Sequence, residues 1–214
     1  MTKSALIFWG GWEGHQPEAC AAVVADMLRA EGFDVVSKEG TDVLAEADLT
    51  RFDLIVPLST QIAVDRLALA NLVAAVEAGT GLGGFHGGMG DTFRNEPAYQ
   101  FMVGGQWVAH PGNIIDYRVE ITRPDDPLVA GIGDFDYRSE QYYLHVDPGI
   151  AVLATTTFSG EHAPWTKGVV MPVVWKHRYG AARVFYSALG HAAAEFEVPQ
   201  MREILRRGLL WAAR

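Results

Sequence analysis

The chain has 214 residues, 49% of them hydrophobic and 20% charged, which is enough to enclose a sizeable core and too apolar for a disordered chain. Against 26 acidic residues stand 17 basic ones, and the net charge of −9 repels nucleic-acid phosphates and anionic membrane surfaces alike, so neither is an expected partner. A single cysteine, Cys20, excludes an intramolecular disulfide and a cysteine-rich metal site.

The opening apolar run is too short for a signal-peptide core, and no later run approaches the roughly 18 apolar residues of a membrane span. A cytoplasmic location is therefore expected, and residues 1–214 read as one α/β domain. Ala5 to Trp9 is a continuous apolar run of the buried, parallel-strand type. Pro17 to Glu31 carries Val23, Val24, Met27 and Leu28 at helical spacing, begins on a proline suited to a first turn and stops at Gly32. In that helix Cys20 reads as a small buried hydrophobe. "FDVVS" and "FDLIVPLS" are the next strands, with Pro57 expected near the end of the latter, where a missing ladder donor matters least. A helix between Val64 and Glu77, closed by Gly79, leads into the strand "GLGGF".

Strands alternating with helices at this spacing predict a parallel sheet covered on both faces. After about residue 100 the pattern changes. "DYRVEIT" alternates apolar and charged residues with period two, "RPDDP" makes a turn, and "AVLATTT", "MPVVWKH" and "ARVFYSAL" are further strands, the last apolar enough to rejoin the central sheet. Residues 101–180 thus read as a mixed or antiparallel elaboration, and Val198 to Trp211 as a closing amphipathic helix.

In "TGLGGFHGGMGD" the segment Gly84-Phe85-His86-Gly87-Gly88 has the form G-x-H-x-G, which is the G-x-S-x-G strand-to-helix elbow of α/β hydrolases with histidine in the nucleophile's place. Loops leaving the carboxyl ends of parallel strands converge on one crevice. By that rule Trp12, Glu13 and His15 follow the first strand, Ser59 and Thr60 the third, His86 the fourth and His191 the last, so three of the seven histidines share one rim. The glycines around His86, Gly87 among them, leave backbone amides exposed beside the imidazole, a setting for an anionic group. Trp12, and Trp107 ahead of His110, add aromatic faces of the kind that sugar rings stack on, or that a core packs. His162 and His177 read as solvent-facing.

"GGWEGHQP", "GLGGFHGG", "GGQWVAHPG", "DPLVAGIGDFDYRSEQYY" and "PVVWKHRYGAARVFYSALGH" together resemble, in order and over nearly the whole chain, the trehalose-utilisation (ThuA-like) family. The resemblance implies a flavodoxin-like, doubly wound, mainly parallel sheet of the class I glutamine amidotransferase type. It also implies a role in sugar metabolism, on a glycoside or 3-keto-sugar. The family's polar positions fall on His15, His86, His110, Glu140 and His191, with Tyr142 beside them. Where relatives carry Asp-Glu, this chain has Ser139-Glu140. Amidotransferase chemistry is not implied, because it needs an activated cysteine at the elbow and Cys20 lies on the first helix.

Three functions from different classes follow. The first is an enzyme working by proton transfer, with His86 and His191 as acid and base and Glu140 orienting an imidazole or serving as a second base. His15, Trp12, His110, Tyr142 and Gly87 would then bind the carbohydrate. The second adds a divalent metal such as zinc or manganese, for which imidazoles with one carboxylate are a common ligand set. The third is a carbohydrate-binding accessory subunit without catalysis. Exposed aromatic loops suit a homo-oligomer contact as readily as a ligand.

Overall fold

In the computed structural model, which describes residues 2–214, the first apolar run forms β1 (Ser4–Gly11), flanked by parallel neighbours on both sides. The next elements are α1 (Pro17–Ala30), β2 (Asp34–Glu39), a single turn α2 (Val43–Glu46), β3 (Leu54–Thr60), α3 (Arg66–Glu77) and β4 (Gly81–Phe85). α1 starts on its proline, and the chain leaves it through Gly32 at φ +84°, as the composition of its ends requires. Every residue of β3 and β4 is buried, which only a sheet covered on both faces allows.

The elbow turns β4 directly into a short helix, α4 (His86–Gly90), followed by α5 (Pro97–Val103) and β5 (Gly105–Ala109). The second half holds β6 (Ile114–Ile121), β7 (Phe135–Glu140), β8 (Tyr143–Val146), β9 (Ala151–Thr157), β10 (Val170–Tyr179), β11 (Ala182–Ser187) and α6 (Pro199–Ala212). α6 packs on β4 and β11, and at Gly81 a Cβ would stand 2.1 Å from the Ala212 carbonyl oxygen. Glycine there lets helix and strand backbones meet. No helix among the described residues is long and apolar enough to cross a membrane.

Nine strands form one sheet in the order β2-β1-β3-β4-β11-β10-β9-β6-β7, and β5 pairs with β8 in a separate ribbon. The first five strands run parallel, but β10, β9, β6 and β7 add antiparallel ladders. The expectation of a mainly parallel sheet is corrected to a mixed one. The cause is the tight turn at Gly180-Ala181 between β10 and β11: a two-residue connection makes only an antiparallel pair. Pro57 is likewise corrected, since it lies mid-strand and opposite Phe8. The β3 ladder to β4 stops at Ile55, two residues earlier, so the strand tolerates a missing donor.

The antiparallel end curls. At about 4.8 Å per strand, a flat sheet sets β7 roughly 19 Å from β11. Instead the Tyr137 hydroxyl of β7 accepts from the Gly190 N–H just past β11, at 3.2 Å. The bend is made where β6 holds β9 by only two residue pairs, Glu120–Thr155 and Ile121–Ala154. Because β7 runs in the same direction as β11, four antiparallel steps away, folding it over carries its last residue, Glu140, to the rim where the parallel strands end.

Beneath the rim, buried apolar residues from Ala5 to Ala213 form one contiguous cluster, with Trp175, Tyr99 and Tyr186 among its largest fully enclosed side chains. Each such side chain contributes about 1.5–3 kcal/mol of transfer free energy. Trp175 also satisfies its indole N–H on the Val103 carbonyl at 3.0 Å. Cys20 belongs to this core, and its thiol donates to the His15 carbonyl. Burial, and after it the charge of Glu195, pushes that thiol up to about 12. Cys20 in the folded protein is therefore expected to stay unreactive toward a disulfide reagent at pH 8, reacting only on unfolding; rapid labelling of the native protein would contradict this burial.

Candidate functional site

Each imidazole reaches the rim for a local reason. His15 ends a 3₁₀ turn after β1, and its Nδ1 shares a 2.7 Å hydrogen bond with the Thr60 hydroxyl at the end of β3. His86 is the first residue after β4 and sits at φ +47°, a left-handed conformation that a non-glycine residue holds only where its surroundings impose it. Its carbonyl is fastened by the Tyr186 hydroxyl at 3.1 Å, and its Nδ1–H donates to the Ala188 carbonyl at 2.8 Å. His191 follows β11, its backbone N–H donating to Glu195 at 2.9 Å.

Glu195 also accepts from the hydroxyls of Tyr137 and Ser139, at 2.5 and 2.9 Å. One carboxylate thus ties the His191 loop to the end of β7. Ser139 spends its hydroxyl on this tie.

These elements bring His15, His86, Glu140 and His191 together, so that one ligand atom from each lies within 4.8 Å of every other. Glu140 Oε2 is the hub: it stands 3.1 Å from His86 Nε2, 3.4 Å from His191 Nδ1 and 3.7 Å from His15 Nε2. His86 Nε2 and His191 Nδ1 are 3.3 Å apart. A tetrahedral ion with bonds of about 2.0–2.1 Å has ligand atoms about 3.4 Å apart, so these separations match its edges.

The donor chemistry agrees. With its Nδ1–H given to a carbonyl, neutral His86 turns a lone pair toward the carboxylate, and His15 Nε2 is buried with no hydrogen-bond partner. Burial pushes His86 down to about 4, overriding the pull of its Glu140 contact, so protonation does not relieve that meeting of acceptors at neutral pH. For Glu140, burial works upward, but the contacts from His15, His191 and His86 prevail and hold it well below the usual carboxylate range. His191 is raised, chiefly by its hydrogen bond to Glu140. Lone pairs converging on a carboxylate are the arrangement that a divalent cation satisfies, and the hydrogen bonds to Ala188 and Thr60 are of the kind that orient ligating imidazoles.

The remaining predicted residues surround this cluster in different ways. Tyr142 stacks on His86 with ring centroids 4.1 Å apart. Trp12, half exposed, sets its ring edge to face with His15. His110 lies at the border, its Nε2 3.6 Å from Glu140 Oε1. Gly87 has a steric part besides the amide donor expected of it: a Cβ there would stand 2.4 Å from His15 Cε1 and 2.9 Å from the Tyr142 hydroxyl, so its hydrogen is what lets the imidazole in. Sequence reasoning missed Asp91 and Glu195. Asp91 closes the elbow helix, and Glu195 stands four residues after His191, a spacing that in "GHAAAEFE" was open to notice.

A family model described as trehalose utilisation matches residues 4–212. Among solved structures, a ThuA-like protein from Parabacteroides merdae superposes with a TM-score of 0.80 at 19% identity, covering 99% of this chain and 90% of that one. A ThuA-like protein from Bacteroides uniformis gives 0.77 at 20% identity over 98% and 91%. A cytoplasmic protein from Salmonella typhimurium LT2 gives 0.65 at 12% identity over 99% and 100%. At these identities the likeness is one of fold. No curated protein matches the sequence.

Proposed function

The chain belongs to the trehalose-utilisation (ThuA) family, and on that premise we propose that it is a sugar-processing enzyme whose centre is a divalent metal held by His15, His86, His191 and Glu140. The observation that carries this reading is the convergence of three imidazole nitrogens and one carboxylate oxygen within 4.8 Å of one another, four of the separations being 3.1–3.7 Å, with two of the imidazoles oriented from behind. Zinc and manganese both accept such a set. When bound, the metal supplies Lewis acidity to a hydroxyl or carbonyl oxygen of the sugar.

With three imidazoles engaged as ligands, His110 is the one left to move a proton. It is partly exposed, and it faces the cavity beside the cluster. The order β2-β1-β3-β4-β11 of the parallel strands supports a flavodoxin-like core, whose ligands sit at the strands' carboxyl ends. The kinship with a cytoplasmic Salmonella protein fits the same compartment for this one.

Elemental analysis of protein prepared without added metal is the test. About one equivalent of zinc or manganese, and sugar turnover that falls at least about 100-fold on chelation and returns with the ion, is the expected result. Full turnover in metal-free protein would overturn the metal and return the chemistry to His86 and His191 as acid and base. Metal without turnover of any glycoside or keto-sugar would favour an accessory binding role.

A further inference from the structure

Away from the rim, α3 and α5 leave an apolar face uncovered. α3 packs Ala68, Leu72, Ala75 and Val76 inward and turns Arg66, Leu67, Ala70, Ala74 and Glu77 to solvent, with Val73 half-buried between them. Leu67 is 58% exposed, and Phe101 of α5 is 62% exposed. A groove of about 580 Å³ is lined by Leu69, Ala70, Val73 and Ala74 of α3 together with Ala98 of α5. Phe101, three residues after Ala98 on the same short helix, extends this face and sets its ring edge to face with Tyr179, centroids 5.9 Å apart. A contiguous apolar surface with a charged border is the mark of a protein contact.

The placement of charge says what covers it. Arg66 and Glu77 are the two ends of α3, about 16 Å apart, and both line the groove. Among the described residues no ion pair engages either of them, or Glu96, the third charged residue of the groove. At 3.6 residues per turn, Arg66, Ala70, Val73, Ala74 and Glu77 fall within a sector of about 100°, so the exposed line runs cation, apolar, anion. Such a line is complementary to itself turned end for end. A second α3 laid antiparallel about a twofold axis sets Arg66 against Glu77 of the other copy and Ala70 against Val73 of the other copy, because both pairs are centred between Asn71 and Leu72. An isologous contact demands this self-complementarity, and the alanines at its middle let the two helices approach closely. The sheet edges, which are the other route to self-association, are guarded: β2 carries Asp34, Lys38 and Glu39, and β7 carries Asp136 and Arg138.

We propose that the chain forms a homodimer through α3 and α5 across a twofold axis, with Arg66 of each copy meeting Glu77 of the other. The groove shares no lining residue with the cavity at the metal cluster, and the inference does not depend on the function proposed above.

Sedimentation equilibrium of the whole protein over about 1–200 µM tests it. A reversible dimer with a Kd of about 1–50 µM is expected, since a contact built on one pair of helices is at the small end of specific interfaces. Each charge reversal acts at two symmetry-related contacts, so Arg66→Glu and Glu77→Arg are each expected to weaken the dimer at least about tenfold, and the double reversal to restore it to within about threefold of wild type. Ala74→Lys, at a position exposed in the single chain, brings two cations together at the centre of the contact and is expected to abolish it. A wild-type protein that stays monomeric at about 200 µM overturns the proposal. So does a dimer indifferent to Ala74→Lys, or a double reversal that associates no better than either single one. The wild-type mass and Ala74→Lys decide the question even where a charge reversal fails to fold.

Discussion

Glu140→Gln is expected to lower zinc affinity more than about 100-fold, a loss of about 2.7 kcal/mol of binding free energy, in a protein that still folds. Glutamine keeps the shape of the side chain and its place at the end of β7, so packing is little disturbed. What it removes is the only anionic ligand of the four, the atom from which all three imidazoles are measured at 3.1, 3.4 and 3.7 Å. A competition titration against a chromophoric chelator reads the affinity. A second signature separates this from simple damage. Wild-type protein at zinc concentrations about 1,000 times Kd gains about 4.1 kcal/mol of stability by mass action, whereas the variant at the same zinc concentration gains no more than about 1.4 kcal/mol.

Metal-free Glu140→Gln protein is expected to be less stable than metal-free wild type at neutral pH, because the contacts that hold the Glu140 carboxyl below its usual range are lost with the charge, an amide N–H donated to His86 Nε2 offsetting part of the loss. A variant whose zinc affinity stays within about tenfold of wild type would remove Glu140 from the ligand set, and with it the centre as described.

How much of this was open to reading depends on which residues carried local signals. β1, β3, β4 and β11 are apolar runs closed by turns, and parallel strands put their loops on one rim whatever the details. His15, His86 and His191 were therefore legible as a group. Glu140 was legible only through kinship, because it comes from the far edge of the sheet and arrives by a curl made at two residue pairs between β6 and β9. The alternation in "DYRVEIT" announces a strand but says nothing about its partner or the bend of the whole layer. The short ribbon of β5 and β8, which positions Trp107 and leads to Tyr142, lacks the length to stand out from loop sequence. Pro57 misled because its position was weighed along the strand, while what matters is which neighbour needs its N–H, and that is set by the ladders on each side.

The same contrast governs Gly87→Ala, which is expected to lower zinc affinity about 10- to 100-fold, as the loss of a positioning contact does. Gly87 has no positive φ to protect, so alanine is not strained by the backbone itself. The new methyl instead meets His15 Cε1 at 2.4 Å and Nδ1 at 2.9 Å. The helix backbone is fixed by Tyr186 holding the His86 carbonyl and by Thr92 donating to the Gly88 carbonyl at 2.6 Å, so the softer party is the His15 ring, held only by Thr60. Its displacement takes one ligand out of the cluster and leaves the other three in place. A double-mutant cycle decides whether this is the route: in a His15→Ala background, where no imidazole is there to be pushed, Gly87→Ala should change zinc affinity by less than about twofold. Additive losses in the double variant would mean that the methyl acts through Tyr142 or the elbow itself, and that the glycine after His86 serves the turn rather than the ligand.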